Sequence, residues 1–162
     1  MDNGETRRAR KNGMITSLMT PGLHTFSDDG QVAQTAYSAA VVMPSVLRPS
    51  IGHALQSVFR QRDTGPVHIL IGVDCSAASA DALDTIRAAC ALRPSGWVVQ
   101  VLWPGYSTSE RHGGLGRACD GGVLRCVLSH LANAAHVAYL DDDNWWDPRH
   151  LASLLTACEG HD

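Results

Sequence analysis

The chain has no run of about eighteen apolar residues, the least a helix needs to cross a bilayer, so no transmembrane segment is expected. Its first twelve residues are polar and basic, and no apolar stretch follows them as it would in a signal peptide; a cytoplasmic location is the resulting expectation. It has no excess of positive charge. Lys and Arg number 13 against 16 Asp and Glu, a net charge of -3, and no nucleic-acid partner is expected. It has no C-x-x-C pair. Five widely spaced cysteines (Cys75, Cys90, Cys119, Cys126, Cys158) make neither a disulfide framework nor a structural zinc site. Cys126 and His130 stand four apart, as metal ligands on a helix can, but Cys126 reads better as a small buried hydrophobe continuing an apolar stripe. Internal repeats, a P-loop and a G-x-G-x-x-G fingerprint are also missing.

What is present suits one domain with a real core: 162 residues, 44% of them hydrophobic. Residues 1–35 read as a flexible N-terminal extension, with a solvated basic cluster at Arg7–Lys11 and a turn at Ser27–Gly30. From 36 to 162 the pattern is regular. Tyr37–Met43, closed by Pro44, reads as a buried strand, and Ser50 as the cap of a helix carrying Ile51, Leu55, Val58 and Phe59. Val67–Val73 is a second strand. Ser79–Leu92 is a helix through Leu83, Ile86 and Cys90, and Trp97–Leu102 a third strand. A glycine-rich loop spans Pro104–Gly116. The next helix has two apolar faces, one through Cys119, Val123, Cys126, Val127 and His130, the other through Leu124, Leu128 and Leu131, and is expected to be covered on both. A short strand Val137–Leu140 precedes a last helix, for which Asp147 and Pro148 supply cap and first turn. The order β-α-β-α-β-loop-α-β-α predicts a Rossmann-like three-layer α/β/α fold with a mainly parallel sheet.

In such sheets ligands sit beyond the carboxyl ends of the strands. The polar residues there are Ser45 and Arg48, then Asp74, then the 104–116 loop, then Asp141-Asp142-Asp143-Asn144. Three adjacent carboxylates repel one another, and a cation relieves the repulsion. In an extended segment Asp141 and Asp143 would point together and Asp142 away. Magnesium or manganese, which favour oxygen ligands and complete their shell with water and phosphate, would suit this D-x-D arrangement. A solvated acidic turn is the plain alternative. Arg48 is equally a phosphate partner or an exposed loop arginine, and Asp74 alone reads as a turn residue. His112-Gly113-Gly114-Leu115-Gly116-Arg117 is either a phosphate-side loop or a connector.

These pieces together resemble family 2 glycosyltransferases of the GT-A fold. Val41-Val42-Met43-Pro44-Ser45 with Arg48-Pro49-Ser50, Ala54-Leu55-Gln56-Ser57-Val58 and Gln61 is similar to that family's first strand and helix. Ile71-Gly72-Val73-Asp74-Cys75-Ser76 is similar to its second strand, and Val137–Asn144 with Pro148 and Leu151 to its D-x-D strand and following helix. The resemblance covers about residues 38–158. It implies sugar transfer from a nucleoside diphosphate sugar, a UDP-sugar being favoured, to an unknown acceptor. It implies nucleotide binding by Ser45, Arg48, Asp74, Asp141 and Asp142, with Asp74 on the base, and a Mn2+ or Mg2+ ion on Asp143 and Asp141. The family's Ala-Arg-Asn-x-Gly is here Ala118-Cys119-Asp120-Gly121-Gly122, so Arg117 or Arg125 is the candidate substitute for its arginine. Family members continue beyond the D-x-D helix, where the acceptor site and catalytic base lie, so no base is assigned in this chain. A non-catalytic half-domain needing a partner and a sugar nucleotidyltransferase are the alternatives, an aspartyl phosphatase a remote one, and homo-oligomerisation is left open.

Overall fold

The computed structural model describes residues 19–111 and 121–161. Five strands form one sheet in the order β1-β4-β3-β2-β5. They are β1 (Gly22–Phe26), β2 (Ala39–Ser45), β3 (Val67–Val73), β4 (Val98–Trp103) and β5 (Val137–Tyr139). The pairs β2–β3, β2–β5 and β3–β4 are parallel, and β1 runs antiparallel to β4. The helices are α1 (Ile51–Phe59), α2 (Ala80–Cys90), α3 (Thr108–Arg111), α4 (Gly122–Leu131) and α5 (His150–Cys158). This is the mainly parallel α/β architecture that the alternation of patterns predicts.

Side-chain alternation along β2 divides the interior in two. Ala39, Val41 and Met43 point to one face, where they join Ile69 and Ile71 of β3, Ile51, Leu55 and Val58 of α1, Leu83 and Ile86 of α2, and Leu151 of α5. Ala40 and Val42 point to the other, against Leu70 and Leu128. Each fully buried aliphatic side chain contributes about 1.5–3 kcal/mol, so the first, larger cluster holds most of the stability. On the second face α4 lies almost on the sheet. A Cβ at Gly72 would stand 3.1 Å from Leu124 Cβ and 3.0 Å from Leu128 Cδ1, so glycine lets the helix come this near.

Pro44 does not close β2; the strand runs through it to Ser45. The register explains why. Ala40 N–H and Val42 C=O bond toward β5, so Pro44, two residues on, directs its missing N–H to the same side. Pairing with β5 already ends at Val42–Tyr139, and no donor is needed there.

Several local expectations are corrected. The stretch read as an extension contains β1, a half-exposed edge strand whose residues carry no apolar run. The turn after it is present and tied down: Arg93, Ser95 Oγ and Gly96 N–H all donate to the Asp28 carboxylate. Ser50 occupies the cap position of α1, but its side chain makes no cap bond; its carbonyl accepts from His53 and Ala54 instead. Ser79 does cap α2, accepting from Ala82 N–H. The last helix begins at His150, two residues later than the Asp147-Pro148 cap and first turn would place it. Asp147 forms the preceding turn, its carbonyl accepting from His150 N–H and its carboxylate from Arg149 N–H. Only the leucine face of α4 is covered, through Leu124 and Leu128; Val123, Val127, Leu131 and Cys126 are exposed. Cys126 is therefore not a buried hydrophobe.

A neutral polar network crosses the sheet toward its amino end. Asn133 N–H donates to His68 Nδ1 at 3.1 Å, so that nitrogen carries no proton. His68 Nε2 then donates to Gln100 Oε1 at 3.0 Å, and Gln100 Nε2 to Thr25 Oγ1 at 3.2 Å. The Asn133 side chain donates to the carbonyls of Ala33 and Thr35. His68 is fully buried, and burial holds its pKa below the ordinary value although the Gln100 bond opposes the shift.

Candidate functional site

At the opposite, carboxyl end of β2, β3 and β5 lies a cleft of about 390 Å³. It is lined by Pro44, Ser45, Val46 and Arg48 from the end of β2 and the loop after it, by Asp74 just after β3, by Gly121 just before α4 and Arg125 within it, and by Asp141, Asp142 and Asp143 after β5. All six sequence-predicted site residues thus share one cavity. Parallel register is the cause: strands running the same way deliver their following residues to the same edge.

The acidic run is a turn rather than an extended strand end. Asn144 N–H donates to the Asp141 carbonyl at 3.1 Å, an i to i+3 closure. Asp142 is turned inward and only 2% exposed. Ser45 Oγ donates to its Oδ2 at 2.6 Å and Arg48 Nη1 to its Oδ1 at 3.0 Å. Asp141 and Asp143 face outward with half-exposed side chains and do not share a partner. Arg125 of α4 donates to Asp141, while Arg48 Nη1 also reaches Asp143 Oδ2 at 3.0 Å. Mutual repulsion among the three carboxylates is therefore relieved by two guanidiniums. The run is neither a row splayed into solvent nor the alternating ladder that extension would give.

Ser45 has a second task. Its Oγ accepts the N–H of Leu47 at 2.8 Å, and Leu47 holds a left-handed backbone, φ 64°. Such a conformation is unfavourable for a leucine and persists where surroundings impose it. Here it turns the chain so that Arg48 faces the acidic run. Gly121 is the counterpart on the other wall. It has φ 61°, and a Cβ there would sit 2.6 Å from Pro44 Cβ. Its carbonyl accepts the N–H of Arg125, so this close approach sets where the arginine stands.

Asp74, 6% exposed, is committed inside the protein. Its Oδ1 accepts the backbone N–H and the hydroxyl of Thr108, and Ser109 Oγ donates to Oδ2 at 2.6 Å. Burial alone would raise its pKa. The bonds from Ser109 and Thr108 outweigh that effect and hold the carboxyl below its ordinary value. These donors belong to α3, a short helix inside the segment expected to be a glycine-rich loop. Asp74 is thus a brace between β3 and the chain after β4, not merely the residue that opens its own turn. His112–Arg117 and Cys119 lie outside the described residues.

The sequence left one site feature open and missed another. Arg125 was one of two candidates for the displaced arginine, and only the packing of α4 on Gly72 brings it to the cleft. Gln61 at the end of α1 donates to the carbonyls of Ser57 and Asp147 and accepts Leu151 N–H at 2.8 Å, fixing where α5 starts beyond the acidic run. Trp145 and Trp146 divide: Trp146 is partly buried and packs at a tilt against the His150 ring, whereas Trp145 is 65% exposed.

Carboxylate oxygens are the right donors for a magnesium or manganese ion, and an ion of that kind needs only one or two of them. The outward Asp141 and Asp143 fit this requirement. Among the described residues no three His, Cys, Asp or Glu side chains gather into an all-protein metal cage. No helix among them is long and apolar enough to cross a membrane.

A mainly parallel sheet with helices and an acidic cleft at its carboxyl edge defines a Rossmann-like α/β fold. Among solved structures, the chain is similar to S. aureus TarS, a glycosyltransferase, with a TM-score of 0.52 and 18% identity over 76% of this chain and 20% of TarS. At that identity the likeness speaks for the fold alone, and the chain spans about a fifth of TarS, 20% of its length. The sequence matches no protein-family model and no curated protein.

Proposed function

We propose that this chain is the nucleotide-sugar-binding part of a glycosyltransferase of the family 2, GT-A type, taking a nucleoside diphosphate sugar, with a UDP-sugar favoured, as donor. The observation that carries the reading is the single cleft in which Ser45, Arg48, Asp74 and the acidic run meet at the carboxyl edge of a glycosyltransferase-like sheet. Ser45 and Asp74 stand on the nucleoside side. The unshared lone pairs of their oxygens accept from donors of a base and ribose while their internal bonds keep the walls rigid. Arg48 is the cation at the mouth, suited to the diphosphate. Asp141 and Asp143 would hold a Mn2+ or Mg2+ ion, which when bound would stabilise the negative charge that develops on a leaving diphosphate. Asp142, buried beneath them, keeps Arg48 and the turn in register.

The test is calorimetric titration of the chain with UDP, GDP and dTDP and their sugars, each with and without manganese. One nucleotide class should bind with micromolar affinity, and Asp143→Ala should weaken the manganese-dependent part of that binding at least tenfold. Absence of binding by every nucleotide would end the reading.

A non-catalytic binding module is favoured by one observation: every carboxylate lining the cleft is already engaged, Asp74 by Thr108 and Ser109, Asp142 by Ser45 and Arg48, and the outer pair by arginines. None of them is poised as a general base. Nucleotide binding without donor hydrolysis or transfer would favour this second reading.

A further inference from the structure

The three central strands, β2, β3 and β4, carry one ionisable side chain between them, His68. It is fully buried where two connections cross the amino edge of the sheet. Residues 33–36 lead into β2 and are exposed; residues 132–136 lead from α4 into β5 and are half-buried or exposed. Asn133 joins the two. Its carbonyl accepts Tyr37 N–H at 2.8 Å, and its side chain donates to the carbonyls of Ala33 and Thr35 at 2.8 and 3.2 Å. Tyr37 Oη accepts Ala33 N–H at 3.0 Å, and the Tyr37 ring lies at a tilt 5.4 Å from the imidazole. The Asn133 N–H, donating to His68 Nδ1 at 3.1 Å, ties this whole unit to the side chains of β3.

That bond holds only while Nδ1 is bare. Nε2 already donates to Gln100 Oε1, so a second proton has Nδ1 alone to occupy, where it sets one N–H against another. A buried imidazolium also needs a carboxylate beside it. Among the described residues none bonds to the ring. On the neighbouring elements, His24 of β1 bonds to the Thr20 carbonyl, Tyr139 of β5 to Ser129, and Arg125 of α4 to Asp141. Cys126, His130 and His136 are exposed. We infer that His68 is a proton-operated latch: a proton on Nδ1 expels the Asn133 amide and releases residues 33–37 and 132–136 from β3 while the sheet stays folded. The released segments are mostly exposed, so they open at less cost than the core, where Ala40, Val42, Leu70 and Leu128 remain packed. Burial, which already disfavours the charged ring, sets the direction: the proton binds the open form better than the closed one.

The experiment is amide hydrogen exchange of the full chain by nuclear magnetic resonance from about pH 8 to about pH 5, with each rate referred to that of an unstructured amide at the same pH, together with the ring nitrogen spectrum of His68. At the neutral end the ring should show Nε2 protonated and Nδ1 bare. As pH falls, protection of the Tyr37 and Asn133 amides should drop by up to about tenfold per pH unit, the linkage of one proton, in step with titration of the ring. The Ile69 and Ile71 amides of β3 should hold theirs. His68→Gln offers Asn133 N–H an oxygen and Gln100 a donor without titrating, and should keep its protection throughout; it leaves His24, His130 and His136 to titrate as before. Protection at Tyr37 and Asn133 that ignores pH, that falls equally in His68→Gln, or that falls together with Ile69 and Ile71 overturns the inference. Should His68→Gln not fold, the parent decides alone: a ring carrying its proton on Nδ1 at neutral pH, or amides that open while the ring stays neutral, overturns it equally.

Discussion

The two polar clusters of this sheet are built on opposite plans. Toward the amino end, His68, Gln100, Asn133 and Thr25 form a neutral relay in which each buried donor meets an acceptor. Toward the carboxyl end, Ser45, Arg48, Arg125 and the acidic run form a charged set, open to solvent on one side and anchored on the other by one buried carboxylate. A saturated neutral network has nothing left to offer a ligand and serves the fold. A charged, half-open set with exchangeable partners is weakly stabilising and available for binding.

That contrast breaks most visibly at His68. Replacing it with alanine leaves a cavity and strips partners from Asn133 N–H and Gln100 Oε1, so His68→Ala should lose about 3 kcal/mol or more in urea unfolding. Nucleotide affinity of the folded fraction should not change. The same residue gives a pH dependence. Its folded pKa lies below the unfolded value of about 6.5, so the folded state binds fewer protons. Its contribution is complete above about 6.5 and is lost as pH falls below that, with a slope of at most about 1.4 kcal/mol per pH unit. Unfolding midpoints measured from pH 8 to 5 should show this fall in the parent and lack it in His68→Gln. Ser45→Ala comes next. It leaves Leu47 N–H and Asp142 Oδ2 short of a partner and should cost about 1–2 kcal/mol, yet weaken nucleotide binding in calorimetry, the reverse of the His68 signature. Smallest is Val127→Ser on the exposed face of α4, within about 0.5 kcal/mol by thermal melt.

Much of the fold was legible because β2, β3, α1 and α2 announce themselves by period and run length. β1 was not, since an edge strand paired on one side needs no apolar run, and Gly22–Phe26 has none. The choice between the two faces of α4 was also hidden: both stripes are apolar, and only Gly72 beneath Leu124 and Leu128 decides which packs. In the site, gathering Ser45, Asp74 and the three aspartates followed from parallel topology alone. What each carboxylate touches did not. Asp74 is held by residues 34 and 35 positions away, and Asp142 by residues 97 and 94 away, distances over which no local pattern carries information.

The central claim is that the acidic cleft receives a nucleoside diphosphate. A crystal structure of the chain soaked with UDP and manganese tests it most directly. The account predicts diphosphate density between Arg48 and Arg125, a manganese ion touching Asp143 or Asp141, and the nucleoside lying toward Ser45 and Asp74. Ordered nucleotide bound elsewhere, with the arginines still paired to the three aspartates and the cleft unchanged, would contradict it.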